Sequence, residues 1–179
     1  VQRRGNPHPA RDLGAALIPE LPMDPASRRA LLIRNPASAS AREQALRLER
    51  FVTRLAEGGV ACEVRVTGYP GHALAIAQTE SAGFDCVIAA GGDGTVHEVA
   101  SGLIASRSPV ALAVAPFGRG NDIAQLIGVS GADGPDDEAA IRAILQPRPM
   151  TLDTIRVSGG ESHQPGGDAP GGIAPARAE

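Results

Sequence analysis

The chain has 179 residues, of which 42% are hydrophobic and 21% are charged, so it has room for one domain with a core and the composition of an ordinary globular protein. A formal net charge of −3 argues against a nucleic-acid-binding protein that relies on phosphate contacts. No apolar run approaches the roughly 18 residues that span a bilayer, so any membrane contact would be peripheral, at the inner surface. Cys62 and Cys86 lie inside apolar runs and have neither a disulfide pattern nor metal-ligand spacing, which predicts a cytoplasmic protein.

Both ends of the chain differ in composition from its middle. Residues 1–22 contain four prolines and no sustained periodicity, which predicts a disordered extension. Residues 158–179 are dominated by glycine, proline and alanine, and a segment of this kind cannot bury enough surface to fold. We therefore predict one folded domain over residues 23–157, followed by a disordered tail.

The middle of the chain alternates short apolar runs with amphipathic stretches. The run at residues 30–33 predicts a buried strand, and a capping box at residues 40–43 predicts a helix that ends at residues 58–59. The buried stripe predicted for this helix consists of Ala45, Leu48, Val52 and Leu55. A strand at 60–66, a helix at about 71–81 and a strand at 86–90 follow.

The second half of the domain continues the same alternation. A second capping box, Thr95 to Glu98, predicts the start of a helix with Val96, Val99, Ala100 and Leu103 along one side. A strand at 110–115, helices near 121–126 and 136–145, and a strand at 150–157 complete the pattern. Short apolar strands alternating with helices predict an α/β fold, with a mainly parallel sheet covered by helices on both faces.

The strongest functional signal is the segment Gly91-Gly92-Asp93-Gly94-Thr95, between a predicted strand and a predicted helix. Glycines and a helix N-terminus let backbone amides bind phosphate closely. An aspartate there suits Mg²⁺ binding or acceptance of a hydroxyl proton, so Asp93 is the candidate catalytic residue. The alternative is a tight turn with Asp93 as a turn former. A Walker P-loop is excluded because all 17 basic residues are arginine.

Two further strand ends carry polar or glycine-rich segments. After the fourth predicted strand, Arg119 could pair with a phosphate, and Asn121 could act either at the site or as a helix cap. After the first, Asn35-Pro36-Ala37-Ser38-Ala39 is by itself only a plausible turn. His72 and His97 are predicted to be surface or supporting groups. A dinucleotide-binding fingerprint is excluded, because His97 occupies the third glycine position and no acidic residue ends the next strand.

These three segments together resemble the diacylglycerol kinase catalytic domain family, which includes sphingosine kinases and bacterial lipid kinases. Residues 35–39 resemble its N-P-x-S/G-G element, residues 91–103 its GGDGT segment and following helix, and residues 116–124 its P-L-G-T-G-N-D-F-A element. The family has a T-x-x-x-G-D-A stretch that residues 67–73 resemble. Two residues depart from the family pattern: Arg119 replaces a threonine and His72 an aspartate.

The resemblance implies an NAD kinase/diacylglycerol kinase-like N-terminal lobe with ATP as phosphoryl donor, Mg²⁺, and a lipid hydroxyl as acceptor at a membrane surface. No dedicated metal-ligating residues are predicted in this chain. The implied nucleotide contacts are Asn35, Pro36, Ala37, Ser38, Thr67, Gly91, Gly92, Asp93, Gly94, Thr95, Val96, His97, Arg119 and Asn121.

Family enzymes continue into a second, β-rich lobe with the lipid site, the general base and further Mg²⁺ ligands. On this resemblance the C-terminal β-rich lobe is missing, and we expect a lipid kinase domain that is incomplete by itself. Two alternatives stay open: a soluble-metabolite kinase related to NAD kinase, and a non-enzymatic nucleotide-binding module that regulates a partner.

Overall fold

The computed structural model describes residues 28–36, 41–131 and 134–154. Its main feature is a parallel sheet of β1 (Arg28–Arg34), β2 (Val60–Val66), β3 (Cys86–Gly91) and β4 (Ala111–Pro116) in the order β2-β1-β3-β4. The predicted α/β fold is thereby confirmed. The predictions for residues 1–22 and 158–179, and those for Ala37, Ser38 and the first capping serine, Ser40, lie outside the described residues.

In the described ranges, five helices connect or follow the strands: α1 (Ala41–Glu57), α2 (His72–Glu80), α3 (Asp93–Ser106), α4 (Asp122–Leu126) and α5 (Asp137–Leu145). Helix α1 contacts α5, and α2 contacts α3. Parallel strands are joined by right-handed crossovers. The chain passes from β1 to β2 in one direction and then returns past β1 to β3 and β4 in the other, so α1 lies on one face of the sheet and α2 and α3 lie on the other. Helices therefore lie on both faces of the sheet, as predicted.

The core lies where the central strand meets both helical layers. Residues 30–33 of β1 are fully buried, as expected for a strand that is covered on both faces. The rings of Phe51 on α1 and Phe117 after β4 meet edge to face, with centroids 5.6 Å apart. Phe51 belongs to the buried side of α1, which also includes Gln44 and Leu55.

The buried side of α1 differs from the predicted stripe. Ala45 is exposed, and that part of the prediction was wrong. The buried side is centred instead on Gln44 and Phe51, which lie seven residues or about two helical turns apart, and Phe51 contacts Phe117. Leu48 and Val52 are half-buried against the core, and Leu55 is buried.

Two short segments after α4 also differ from the prediction. Strands β5 (Ser130–Gly131) and β6 (Gly134–Pro135) form an antiparallel pair that the sequence did not indicate. The predicted strand at 150–157 is not formed over Met150 to Thr154, where Met150 and Leu152 are 61% and 57% exposed. Within the described residues this stretch has no neighbouring strand to pair with, and backbone pairing is what makes a strand. Residues 155–157 lie outside the described part.

Candidate functional site

The sheet order creates a crevice at the carboxyl ends of β1 and β3. The chain leaves these adjacent strands toward opposite faces, and ligands of open α/β sheets bind at such a switch point. Backbone hydrogen bonds join the segments that follow the strands: the N–H of Asn35 donates to the carbonyl of Ala90 (3.1 Å), and the N–H of Phe117 donates to that of Gly91 (3.2 Å). The three sequence segments singled out above therefore meet at one edge of the sheet.

The turn from β3 into α3 is built around glycines. Helix α3 begins at Asp93 with Gly92 as its N-cap, and the N–H of Thr95 donates to the carbonyl of Gly92 (2.9 Å). The prediction that Thr95 caps this helix was wrong, because the helix starts two residues earlier. Thr95 is buried against Gly91, where an added Cβ would lie 2.7 Å from the Thr95 Cβ. Gly91 therefore has a packing reason to be glycine.

No packing contact requires a glycine at position 94. It lies in the first turn of α3, its φ is not in the left-handed region, and a Cβ added there would meet nothing within 4 Å. Glycine in a helix costs up to about 1 kcal/mol relative to alanine. The surface above Gly94 is consequently open to a ligand that approaches the backbone.

The carboxylate of Asp93 reaches the N-terminus of another helix, α4. Its Oδ1 accepts from the N–H of Ile123 (2.9 Å), and its Oδ2 accepts from that of Asp122 (3.2 Å). The hydrogen bond from the N–H of Ile123 is the main cause that lowers the pKa of Asp93 below its ordinary value, and the bond from Asp122 acts in the same direction. Asp93 is therefore ionised at neutral pH and is a poor proton acceptor.

The segment 117–121 forms a closed loop against the turn after β3. The Asn121 Oδ1 accepts from the N–H of Gly118 (3.0 Å), and its Nδ2 donates to the Gly118 carbonyl (2.9 Å). Asn121 has a left-handed φ of 57° at the N-cap position of α4, but its side chain does not cap that helix. A Cβ on Gly118 would lie 2.6 Å from the Gly92 nitrogen. The two glycine segments are thus in direct contact.

The prediction that Glu98 completes a capping box with Thr95 was also wrong. Its Oε1 accepts from the N–H of Gly71 (3.0 Å), and its Oε2 accepts from that of Ala73 (3.2 Å). Gly71 is the N-cap of α2, and it has a left-handed φ of 84° and no side chain. Glu98 therefore supplies the cap that α2 lacks, and it ties α3 to the segment after β2.

That segment, residues 67–72, lies at the carboxyl end of β2. The N–H of Thr67 donates to the carbonyl of Arg34 (2.8 Å), which places the segment beside the end of β1. The His72 Nδ1 accepts from the N–H of Gly68 (3.0 Å). The ring of Tyr69 stacks on that of His72 at 4.3 Å and 8°.

Arg47 on α1 is a second supporting residue that the sequence did not indicate. Its guanidinium donates to both carboxylate oxygens of Asp137 (2.8 and 2.5 Å) and to the carbonyl of Pro116 (3.0 Å), and it lies 4.3 Å from the centroid of the Phe117 ring. Arg47 thus fixes the end of β4 against α1 and α5. Its partners are 69 and 90 residues away, so no local spacing could have revealed it.

The predicted site residues differ in how available they are to a ligand. Val96 is buried in the core, so only its backbone could take part in binding. Among the described site residues, the exposed ones are Pro36, Gly94, His97 and Arg119, and the half-buried ones are Asn35, Gly92 and Asp93. The other buried residues of the set are Thr67, Gly91, Thr95 and Asn121.

Residues 28–36, 41–131 and 134–154 contain no group of three His, Cys, Asp or Glu side chains placed to hold a metal ion. None of the helices in these ranges is long and apolar enough to cross a membrane.

Comparisons with known proteins agree on one family. The model of the diacylglycerol kinase catalytic domain matches residues 29–157. The YegS-like probable lipid kinase of Klebsiella pneumoniae is 35% identical over 113 residues, which are 62% of this chain and 36% of that protein. The probable lipid kinase YegS of Salmonella arizonae is 36% identical over 131 residues, or 72% of this chain and 41% of that protein.

Solved structures give the same result. A diacylglycerol kinase from Bacillus anthracis superposes with a TM-score of 0.56 at 26% sequence identity, covering 68% of this chain and 43% of that one. The chain thus spans about two fifths of the length of these relatives. Sequence motifs, sheet topology and all three comparisons lead to one conclusion: the chain belongs to the diacylglycerol kinase catalytic domain family.

Proposed function

We propose that this chain is the nucleotide-binding lobe of an ATP-dependent lipid kinase, which transfers the γ-phosphate of ATP to a hydroxyl of a diacylglycerol-like lipid. Family membership supports the reaction class. The observation that carries the proposal is Gly94, a helical glycine that packing within the protein does not require and that leaves the backbone beside Asp93 open. Close approach of a phosphate explains a glycine at this position.

The amides of the turn from β3 into α3 would bind the phosphate oxygens, with the positive end of the α3 dipole behind them. Asn35 and Thr67, at the ends of β1 and β2, would face the rest of the nucleotide. Mg²⁺ is commonly held by one or two carboxylates together with substrate phosphates. Asp93 fits this role, because it is ionised and each carboxylate oxygen has lone-pair capacity beyond its one N–H bond to α4.

The low pKa of Asp93 favours one of its two predicted roles. A group that is held ionised by two N–H donors is a weak proton acceptor. We therefore propose that Asp93 orients Mg²⁺, and that another group accepts the proton of the lipid hydroxyl. Since the relatives are about two and a half times as long as the matched part of this chain, we propose that the lipid site and that group belong to a second lobe.

The test is calorimetric binding of Mg²⁺-ATP to the 179-residue chain and to Gly94→Ala. We expect the substitution to leave the free energy of unfolding unchanged or to raise it by up to about 1 kcal/mol, because its methyl meets no protein atom. Its methyl would, however, occupy the phosphate position, and we expect ATP affinity to fall at least about tenfold, or about 1.4 kcal/mol.

Ser101→Ala, about two turns further along α3, is the control that should bind ATP like the parent. Equal ATP binding by Gly94→Ala and the parent would remove the argument for a phosphate site. Transfer of radiolabelled phosphate to diacylglycerol in mixed micelles, measured on the same samples, separates a complete kinase from a lobe that binds without turnover. We expect binding without measurable transfer.

A further inference from the structure

Tyr69 is an aromatic residue in an unusual position for this protein. Phe51 and Phe117 are buried, and Phe84 is half-buried with the guanidinium of Arg29 4.9 Å from its ring centroid. Tyr69, by contrast, is 61% exposed. One face of its ring is covered by the imidazole of His72, and this exposure leaves the other face open.

The position of this ring is held by contacts on both sides. Thr67, two residues before it, is bonded to the end of β1, and Gly71, two residues after it, is bonded to Glu98. Its stacking partner His72 is itself fixed, because the Nδ1 of His72 accepts the N–H of Gly68. A rigid, exposed aromatic ring loses little conformational freedom when a ligand binds to it.

The geometry of the sheet edge directs a bound nucleotide toward this ring. On the β4 side, Gly118 lies against Gly92 and closes the phosphate site. On the other side of β3 lie β1 and then β2, with a spacing of about 4.8 Å between neighbouring strands. Glu98, five residues after Asp93 on α3, accepts from the N–H groups of Gly71 and Ala73, and it therefore ties the 67–72 segment to the helix that begins at the phosphate site. The sugar of a nucleotide can bridge such a gap.

We propose that the open face of Tyr69 stacks on the base of the nucleotide whose phosphates lie at the start of α3, with His72 and Glu98 as positioning residues. The proposal rests on the proposed function, and it adds a residue that selects nucleotides over simple polyphosphates. Base stacking on an aromatic ring is tolerant of base identity, since every base has a π face. The stacked ring therefore favours nucleoside triphosphates as a class, and it favours purines for their larger area.

The test compares Mg²⁺-ATP with Mg²⁺-tripolyphosphate, which has the phosphates but no base. We expect Tyr69→Ala to weaken ATP binding about 5- to 50-fold and to leave tripolyphosphate binding unchanged. Tyr69→Phe keeps a stacking ring and should bind both ligands like the parent. Ile104→Ala removes an exposed apolar side chain from α3, and it should alter neither affinity.

A second readout follows from composition. Tyr69 is the single tyrosine of a chain without tryptophan, so intrinsic tyrosine emission reports on this residue alone. ATP should change that emission, and tripolyphosphate should not. Thermal unfolding of each variant establishes that the fold is kept.

The outcomes distinguish this inference from the function beneath it. If Tyr69→Ala binds ATP as tightly as the parent while both ligands still bind, the stacking role is overturned and the phosphate site stands. If Tyr69→Ala loses both ligands equally, Tyr69 acts on the phosphate site and not on the base, which also overturns the inference. If neither ligand binds to the parent chain, the proposed function fails and this inference fails with it.

Discussion

Replacing Asp93 by alanine separates the structural contribution of this residue from its proposed role with Mg²⁺. Its carboxylate caps α4 through the N–H groups of Asp122 and Ile123, and α4 has only five residues. Removal of a capping side chain costs about 1 kcal/mol, within about 0.5–2 kcal/mol. Because Asp122 is exposed, water can replace part of the lost bonding, and we expect about 1 kcal/mol. Asp93→Asn should lose less, since the amide retains one acceptor oxygen.

Thermal and urea unfolding of the parent, Asp93→Ala and Asp93→Asn would measure this contribution. A loss of about 1 kcal/mol corresponds to roughly 3 to 5 °C for a domain of this size. The pKa of Asp93 is lowered in the folded state, so its stabilising effect is present above the unfolded pKa of about 3.9 and is lost as pH falls through the lower folded pKa. The gap between the parent and Asp93→Asn should be steady from pH 7 to pH 5 and should shrink below about pH 4.

Asp136→Ala is the matched control. Asp136 caps α5 by accepting the N–H of Ala139 at 2.9 Å, so its loss should lower stability by a similar amount, about 1 kcal/mol, and leave ATP binding intact. Asp93→Ala should impair both stability and Mg²⁺-dependent ATP binding. Unchanged unfolding of Asp93→Ala at pH 7 would refute the capping role, and a loss of ATP binding that is the same with and without Mg²⁺ would refute the proposed metal role.

Two further substitutions test the packing that supports the site. Gly102→Ala places a methyl 2.9 Å from the Cβ of Ala77, between α3 and α2, and it should lower the free energy of unfolding by about 1–3 kcal/mol; a Tm equal to that of the parent would contradict this close contact. Arg47→Met removes the bidentate pair with Asp137 and the bond to the Pro116 carbonyl, and it should cost about 1–2 kcal/mol in urea unfolding. A double-mutant cycle with Asp137→Asn should show coupling, whereas additive effects would mean that the pair contributes nothing.

The amino-acid sequence by itself determined the elements of the fold and the segments that line its crevice. Short apolar runs such as residues 86–90, ended by glycine, are local signals of buried parallel strands, and they matched β1 to β4 closely. The glycine-rich segment at residues 91–95 was equally readable, because close backbone approach requires a residue type that is visible in the sequence. The resemblance to the family rested on the same local segments.

The tertiary structure alone decided the partners of the charged side chains. Asp93 and Glu98 look like ordinary first-turn and capping-box residues of their own helix, yet they cap α4 and α2 through residues that are 29–30 and 25–27 positions away. The strand at 150–157 was predicted from its apolar residues, but its formation depends on a neighbouring strand. Hydrophobic period and helix propensity are local properties, whereas a carboxylate accepts from whichever free N–H groups packing brings within about 3 Å. That choice is made only when the helices assemble on the sheet.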